Sequence, residues 1–339
     1  MKTRAARLLA TIAAGVLVSI TLASAQSHPG GGVVLPKEVV AAASGFQTYM
    51  QRAGDVKADF HSPDAVHERL RIGASYEQNQ FEEGMIAYGA VVALQDARFL
   101  NAVDGADRSP EGRRALADKL IANPAEAVRF DGADEAAHLV ASALSRQAGP
   151  VISAGKAVKQ AAYDIQHDAW SKGRIGNLPA RVREVKSLSA ARFVASDADN
   201  ARLMRAMLTL PEPGVSPSRV SPVIARSLAL AAVAKLGYAT DADLPGLGPL
   251  LTEYYSADCL KMAKLNLYQC MAVAAPHYEN VFCLGEHALS DTGQCVAEAV
   301  TASPDRFAPP YRPPVAAPVV PVKTHAKPVR RHGAHRRRS

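Results

Sequence analysis

Strand signals are almost missing from this sequence. Apolar and polar residues do not alternate over any sustained run, β-branched runs are few, and no Asn-Gly pair marks a hairpin. A sheet-based fold is therefore excluded, and with it the chemistries that need one. Walker loops, G-x-G-x-x-G turns after a strand and triad signatures are also lacking. His67-Glu68 does not open an H-E-x-x-H pair, because position 71 is Arg71. No two cysteines stand two to four residues apart, which argues against a structural zinc site and a C-x-x-C redox pair. Neither a metal nor a cofactor is expected. Beyond the first 25 residues no apolar run is long enough to span a bilayer. The best, 228–234, is flanked by Arg226 and Lys235.

What the sequence does have begins with an export pattern. Lys2, Arg4 and Arg7 precede an apolar stretch at 8–22, and Ala23-Ser24-Ala25 forms an A-x-A cleavage signal. Residues 1–25 read as a signal peptide and 26–34 as a flexible linker, which places the mature chain in the periplasm or outside the cell. An uncleaved anchor is the alternative.

Basic charge sits at the ends. Three of the 39 Lys/Arg lie in 1–25 and nine in 303–339, leaving 27 against 31 acidic residues in 26–302. The body is mildly acidic. The tail, 303–339, carries one acid, Asp305, and recurrent prolines that stop helix and sheet alike. It reads as a disordered, Pro-rich basic tail that could hold an anionic envelope surface or serve only solubility. Nucleic acid is not an expected partner, because no aromatics interleave with the arginines for base stacking.

The body reads as all-α: a multi-helix bundle or irregular helical array. Ser62-Pro63, Ser109-Pro110, Asn123-Pro124 and Ser221-Pro222 each place a cap before a proline suited to the first helical turn. A capping box is expected at 75–78, ahead of a helix over 80–95. That helix and 221–237, which is apolar nearly all round and ends at Gly237, read as internal. The Pro-rich segment 211–221 is expected to link a helical N-terminal lobe, 35–210, to a C-terminal lobe, 222–302.

All four cysteines fall in the second lobe. Helix is expected over 258–274 and again from Glu279 to about Asp291-Thr292-Gly293, broken at Pro276. In an antiparallel hairpin, partners keep a constant index sum. Cys270 with Cys283 and Cys259 with Cys295 have nearly equal sums, so two nested disulfides are predicted. Pairing Cys259 with Cys270 would require about 16 Å to be spanned within one helix.

The candidate site lies on the helix that begins at Val151. Val151, Ala154, Val158, Ala161, Ile165 and Ala169 make a core stripe, and Lys156, Lys159, Tyr163, His167 and Trp170 share the opposite face. Ammonium, aromatic and imidazole groups on one face can hold an anion or a sugar. If the stripe lines a pocket, Tyr163 and His167 should be largely buried, with Lys264, Asn266 and Tyr268 nearby. An ordinary solvated face is the competing reading. Ser153-x-x-Lys156 matches a short acylation motif but lacks its K-T-G partner. Glu82-Glu83 and Glu286-His287 are adjacent pairs that point about 100° apart, so neither is a ready carboxylate dyad; Glu83 with a distant acid stays open.

Two segments, VKQAAYDIQHDAWSK and AKLNLYQCMAVAAPHYENVFCLGEHALSDTGQC, resemble an uncharacterised family of exported alphaproteobacterial helical proteins. The resemblance implies an exported bacterial protein and brings no activity or ligand. The expected function is an envelope-associated binding or scaffolding protein, with a hydrolase of cell-envelope glycan or peptide as the alternative. Ligand and oligomeric state are not specified by the sequence.

Overall fold

The computed structural model describes residues 33, 35–207 and 219–301. The expected signal peptide at 1–25, the expected tail at 303–339, and most of the expected linkers at 26–34 and 211–221 lie outside these residues. Among the described residues the chain is all-α, with thirteen α-helices and no strand. None is long and apolar enough to cross a membrane.

The chain opens with α1 (Lys37–Gly54), α2 (Pro63–Ala74) and α3 (Gln78–Ala93). Next come α4 (Ala97–Ala106), α5 (Pro110–Ala122) and the long α6 (Ala133–Asp164). Then follow α7 (Leu178–Ala190), α8 (Asp197–Met207), α9 (Pro222–Leu236) and α10 (Gly248–Leu251). The last three are α11 (Tyr254–Val273), α12 (His277–Cys283) and α13 (Asp291–Val300). Helices α3 and α9 are buried on nearly every side, as their all-round apolar sequences require. Helices from both sides of the 211–218 gap enter one hydrophobic core.

The Ser-Pro starts behave as read. Ser62, Ser109 and Ser221 accept from the amides of Ala65, Gly112 and Ile224. Gly237 closes α9 at φ 91°. Two starts differ. Asn123-Pro124 opens a 3-10 turn with no side-chain cap. Ser75 does not begin α3: its hydroxyl donates back to Ile72 O at the end of α2, and Glu77 caps α3 by accepting from Asn79 and Gln80. A carboxylate two residues further on suits the positive helix end better than a hydroxyl.

Helix α6 begins 18 residues before Val151 and runs through Pro150. Proline forfeits a single amide bond there, while burial of Val140, Leu144, Val151 and Val158 on both sides holds the helix together. Ala169, expected in the core stripe, lies past the helix end and is exposed.

Both disulfides form as predicted, Cys259–Cys295 and Cys270–Cys283, each with 5.7 Å between Cα atoms. The second arm departs from expectation. It begins at His277, and Asp291-Thr292-Gly293 does not stop it. α12, a π segment over Leu284–Ser290 and α13 form one continuous helical arm to Val300.

The π segment has a geometric reason. Cys259 and Cys270 are 11 residues apart, about three turns plus 20°, so they share a face of α11. Cys283 and Cys295 are 12 apart, which in a regular α-helix would rotate them by about 120°. A π turn takes up one extra residue and returns both sulfurs to one face. At this segment the arm crosses α6 with backbones in close approach. A Cβ on Gly285 would collide with the Lys159 backbone, and one on Gly155 would stand 2.6 Å from Ser290 N.

Candidate functional site

A pocket opens between α1, the α2–α3 corner and Phe193 of the irregular loop at 191–196. Gly45, Thr48, Tyr49 and Arg52 recur at helical spacing on one face of α1 and form one wall. The corner adds Ile72, Ser75 and Tyr76, and α3 adds Gln80 and Phe81. The empty space at this site, open solvent included, is about 410 Å³, so it is a shallow, open depression rather than an enclosed cavity.

Its floor is aromatic. Phe81 lies 5.1 Å from Phe46, 5.3 Å from Tyr49 and 4.7 Å from Tyr76, centroid to centroid. The tyrosine hydroxyls point into the protein. Tyr49 donates to Gly73 O at 2.9 Å, and Tyr76 meets Thr292 Oγ1 at 3.0 Å. Burial pushes both phenols well above their ordinary range. The rings are thus fixed from behind and present carbon to the pocket.

The rim is polar. Arg52 is exposed at the mouth and has no hydrogen bond or ion pair among the described residues. Glu77 is occupied as the α3 cap and lies 3.9 Å from Arg192. Gln80 uses its whole amide on one residue: Oε1 accepts from Phe193 N at 2.7 Å and Nε2 donates to Phe193 O at 2.8 Å.

Behind the pocket is Lys264 of α11, 6% exposed. Its ammonium donates to Ala74 O and Tyr76 O and lies 3.4 Å from the Tyr76 ring centroid. Burial pulls its pKa down to about 7. Carbonyls at the C-terminal end of α2 and the ring face favour the charged form. A second buried charge site joins α3 to α11. Glu82 is 2% exposed and accepts from the Glu253 amide, and burial raises its pKa to about 7. Glu253 caps α11 beside it, and Arg226 is close to both carboxylates.

A polar face borders the π segment. Lys159 Nζ pairs with Glu286 at 2.9 Å, and His287 Nδ1 lies 2.9 Å from Asp291 Oδ2, which also accepts from Asn266 at 3.4 Å. Bonding to Glu286 raises the Lys159 pKa. Tyr163 meets Phe282 edge-on at 6.1 Å.

The expected site residues therefore separate. Lys159, Asn266 and, at the edge, Tyr163 gather at the polar face. Lys264 is buried behind the pocket, and Tyr268 lies under Lys186 at 5.5 Å. Tyr163 is 48% exposed and His167 is exposed, not largely buried. The reason is local: α6 ends at Asp164 and passes into a 3-10 turn over Ile165–His167, so the face does not continue. Trp170 turns away to lie 6.4 Å from His277. Ser153 and Lys156 are both exposed. Among the described residues no group of three His, Cys, Asp or Glu side chains is placed to hold a metal ion.

The pocket residues were missed by sequence reasoning. Gln80 and Phe193 are 113 positions apart, and neither belongs to a motif. The acid pair also differs from the one left open: Glu82, not Glu83, meets a distant carboxylate, while Glu83 faces Arg192 at 3.7 Å. No protein-family model, curated protein or solved structure matches this chain.

Proposed function

We propose that this is an exported, disulfide-stapled helical binding protein whose ligand site is the pocket between α1 and α3. The observation that carries this reading is the pairing of a rigid aromatic floor with Arg52 at the mouth, a cation with no partner of its own among the described residues. Apolar walls supply affinity and a few placed polar groups supply orientation. Export is supported by the A-x-A signal and by two formed disulfides, which persist in oxidising compartments. Membership in the exported family rests on the two resembling segments alone.

A hydrolase draws no comparable support. The carboxylates that approach each other, Glu82 and Glu253, do so within the core, and Glu77 at the pocket is engaged as a cap. The test is native mass spectrometry of the protein recovered from the envelope of its producing cell. A bound mass carried by the natural chain and lost from Arg52→Glu supports the pocket. A bound mass equal in both chains refutes it.

The basic tail gives the same reading a location. Residues 303–339 hold nine Lys/Arg against one Asp, a charge suited to an anionic surface. Attraction of this kind is screened within about 10 Å at 0.1 M salt. Truncation at 302 should therefore abolish a salt-sensitive binding to anionic liposomes. Equal binding by both chains across a salt series would exclude the tail as the anchor.

A further inference from the structure

The way Phe193 is held says what the pocket is built to take. Residues 191–196 run without regular structure between α7 and α8, with Arg192 exposed and Val194 88% exposed. Phe193 is half-buried and is the large apolar side chain of this loop that turns inward. Its ring sits over Gly45, where a Cβ would stand 2.9 Å from Cδ1, so α1 carries a notch shaped to that ring. Its N–H and C=O are both taken by the Gln80 amide. One side chain in a notch and one residue paired through both its backbone N–H and C=O is how a peptide segment is recognised.

We infer that Phe193 is an internal stand-in for the natural ligand, and that the site binds a peptide segment carrying an aromatic side chain beside an acidic one. The inference rests on the pocket reading. Once Phe193 is displaced, Gln80 offers one donor and one acceptor to the backbone N–H and C=O of an incoming residue. The notch at Gly45 takes its aromatic ring against Phe46 and Phe81. Arg52 lies two turns further along α1, about 10 Å from Gly45. That distance suits a carboxylate on the neighbouring residue and disfavours a basic one. The loop competes for the same contacts, so the apparent affinity of the free protein is lowered by the fraction of time the site is occupied by Phe193.

Isothermal titration of the full chain and two variants, Phe193→Ala and Arg52→Gln, tests this. The probes are the capped tripeptides Gly-Phe-Asp, Gly-Ala-Asp and Gly-Phe-Lys, together with 3-phenylpropionate. Circular dichroism melts establish that both variants are folded. Phe193→Ala should bind Gly-Phe-Asp more tightly than the natural chain, by the inverse of the fraction of time the site is free of Phe193: about tenfold for a site free one-tenth of the time. Gly-Ala-Asp should bind neither chain measurably. Arg52→Gln should lose the preference for Gly-Phe-Asp over Gly-Phe-Lys. Equal or weaker binding by folded Phe193→Ala would overturn the stand-in role while leaving a pocket that binds. Binding of 3-phenylpropionate as tightly as Gly-Phe-Asp would overturn the peptide class and keep the pocket. No binding of any probe to either the natural chain or Phe193→Ala would overturn both.

Discussion

Replacing Cys259 and Cys295 with alanine tests the hairpin that ties α11 to the helical arm packed on α6. Taken alone, the bond closes a loop of about 37 residues, for which chain-entropy arithmetic gives about 3.8 kcal/mol. It is not alone. Cys270–Cys283 already ties the tip of the same hairpin. With that bond intact, only about 25 residues gain freedom, and the expected loss falls to about 3.5 kcal/mol. The inner bond closes about 14 residues and is expected to contribute about 3 kcal/mol, so the two bonds should be nearly equal. For a body of about 270 residues the outer loss corresponds to roughly 6 °C in melting temperature. Differential scanning calorimetry of each double alanine variant under non-reducing conditions measures both. Losses within about 1 kcal/mol of each other fit nested rungs. An outer loss below about 1 kcal/mol would refute the reasoning, because helix packing alone would then hold the arms.

Three further outcomes follow from the same geometry. Deleting Glu286 should leave both disulfides intact, since a regular α-helix of 11 residues from Cys283 returns the sulfurs to one face; inserting an alanine after Glu286 should expose free thiols on non-reducing peptide mapping. For Glu82, the folded pKa of about 7 exceeds the ordinary value of 4.5, so its stabilising contribution is full below pH 4.5 and is lost as pH rises through 7. Urea unfolding should show a decline of the order of 3 kcal/mol across that window, flattened in Glu82→Gln. Lys264 has the opposite sign: its folded pKa of about 7 lies below 10.5, so its contribution is present above pH 10.5 and is lost as pH falls through 7. Lys264→Met should remove the rise in stability between pH 7 and 10.5.

The parts of this fold that could be read from sequence are those set by neighbours in the chain. Ser-Pro starts, the apolar helices α3 and α9 and the cysteine register all depend on spacings within one element or one hairpin. The errors have tertiary causes. In sequence the helix reads from Val151, yet burial on both sides carries α6 through Pro150 from Ala133. Asp291-Thr292-Gly293 looked like a stop, yet Gly293 packs against Ile152 inside the arm. The stripe at Lys159, Tyr163 and His167 assumed a helix that ends at Asp164. The pocket could not be read at all. It needs Gly45, Gln80 and Phe193 together, and their meeting depends on how α1, α3 and the 191–196 loop pack.

The most direct test of the binding role is a crystal structure of the protein purified from its producing cell without refolding. The pocket reading predicts ligand density against Phe46, Tyr49 and Phe81, with Arg52 turned onto it. Density along Lys159, Tyr163 and His287, with Phe193 still seated over Gly45, would contradict it and move the site to the polar face of the π segment.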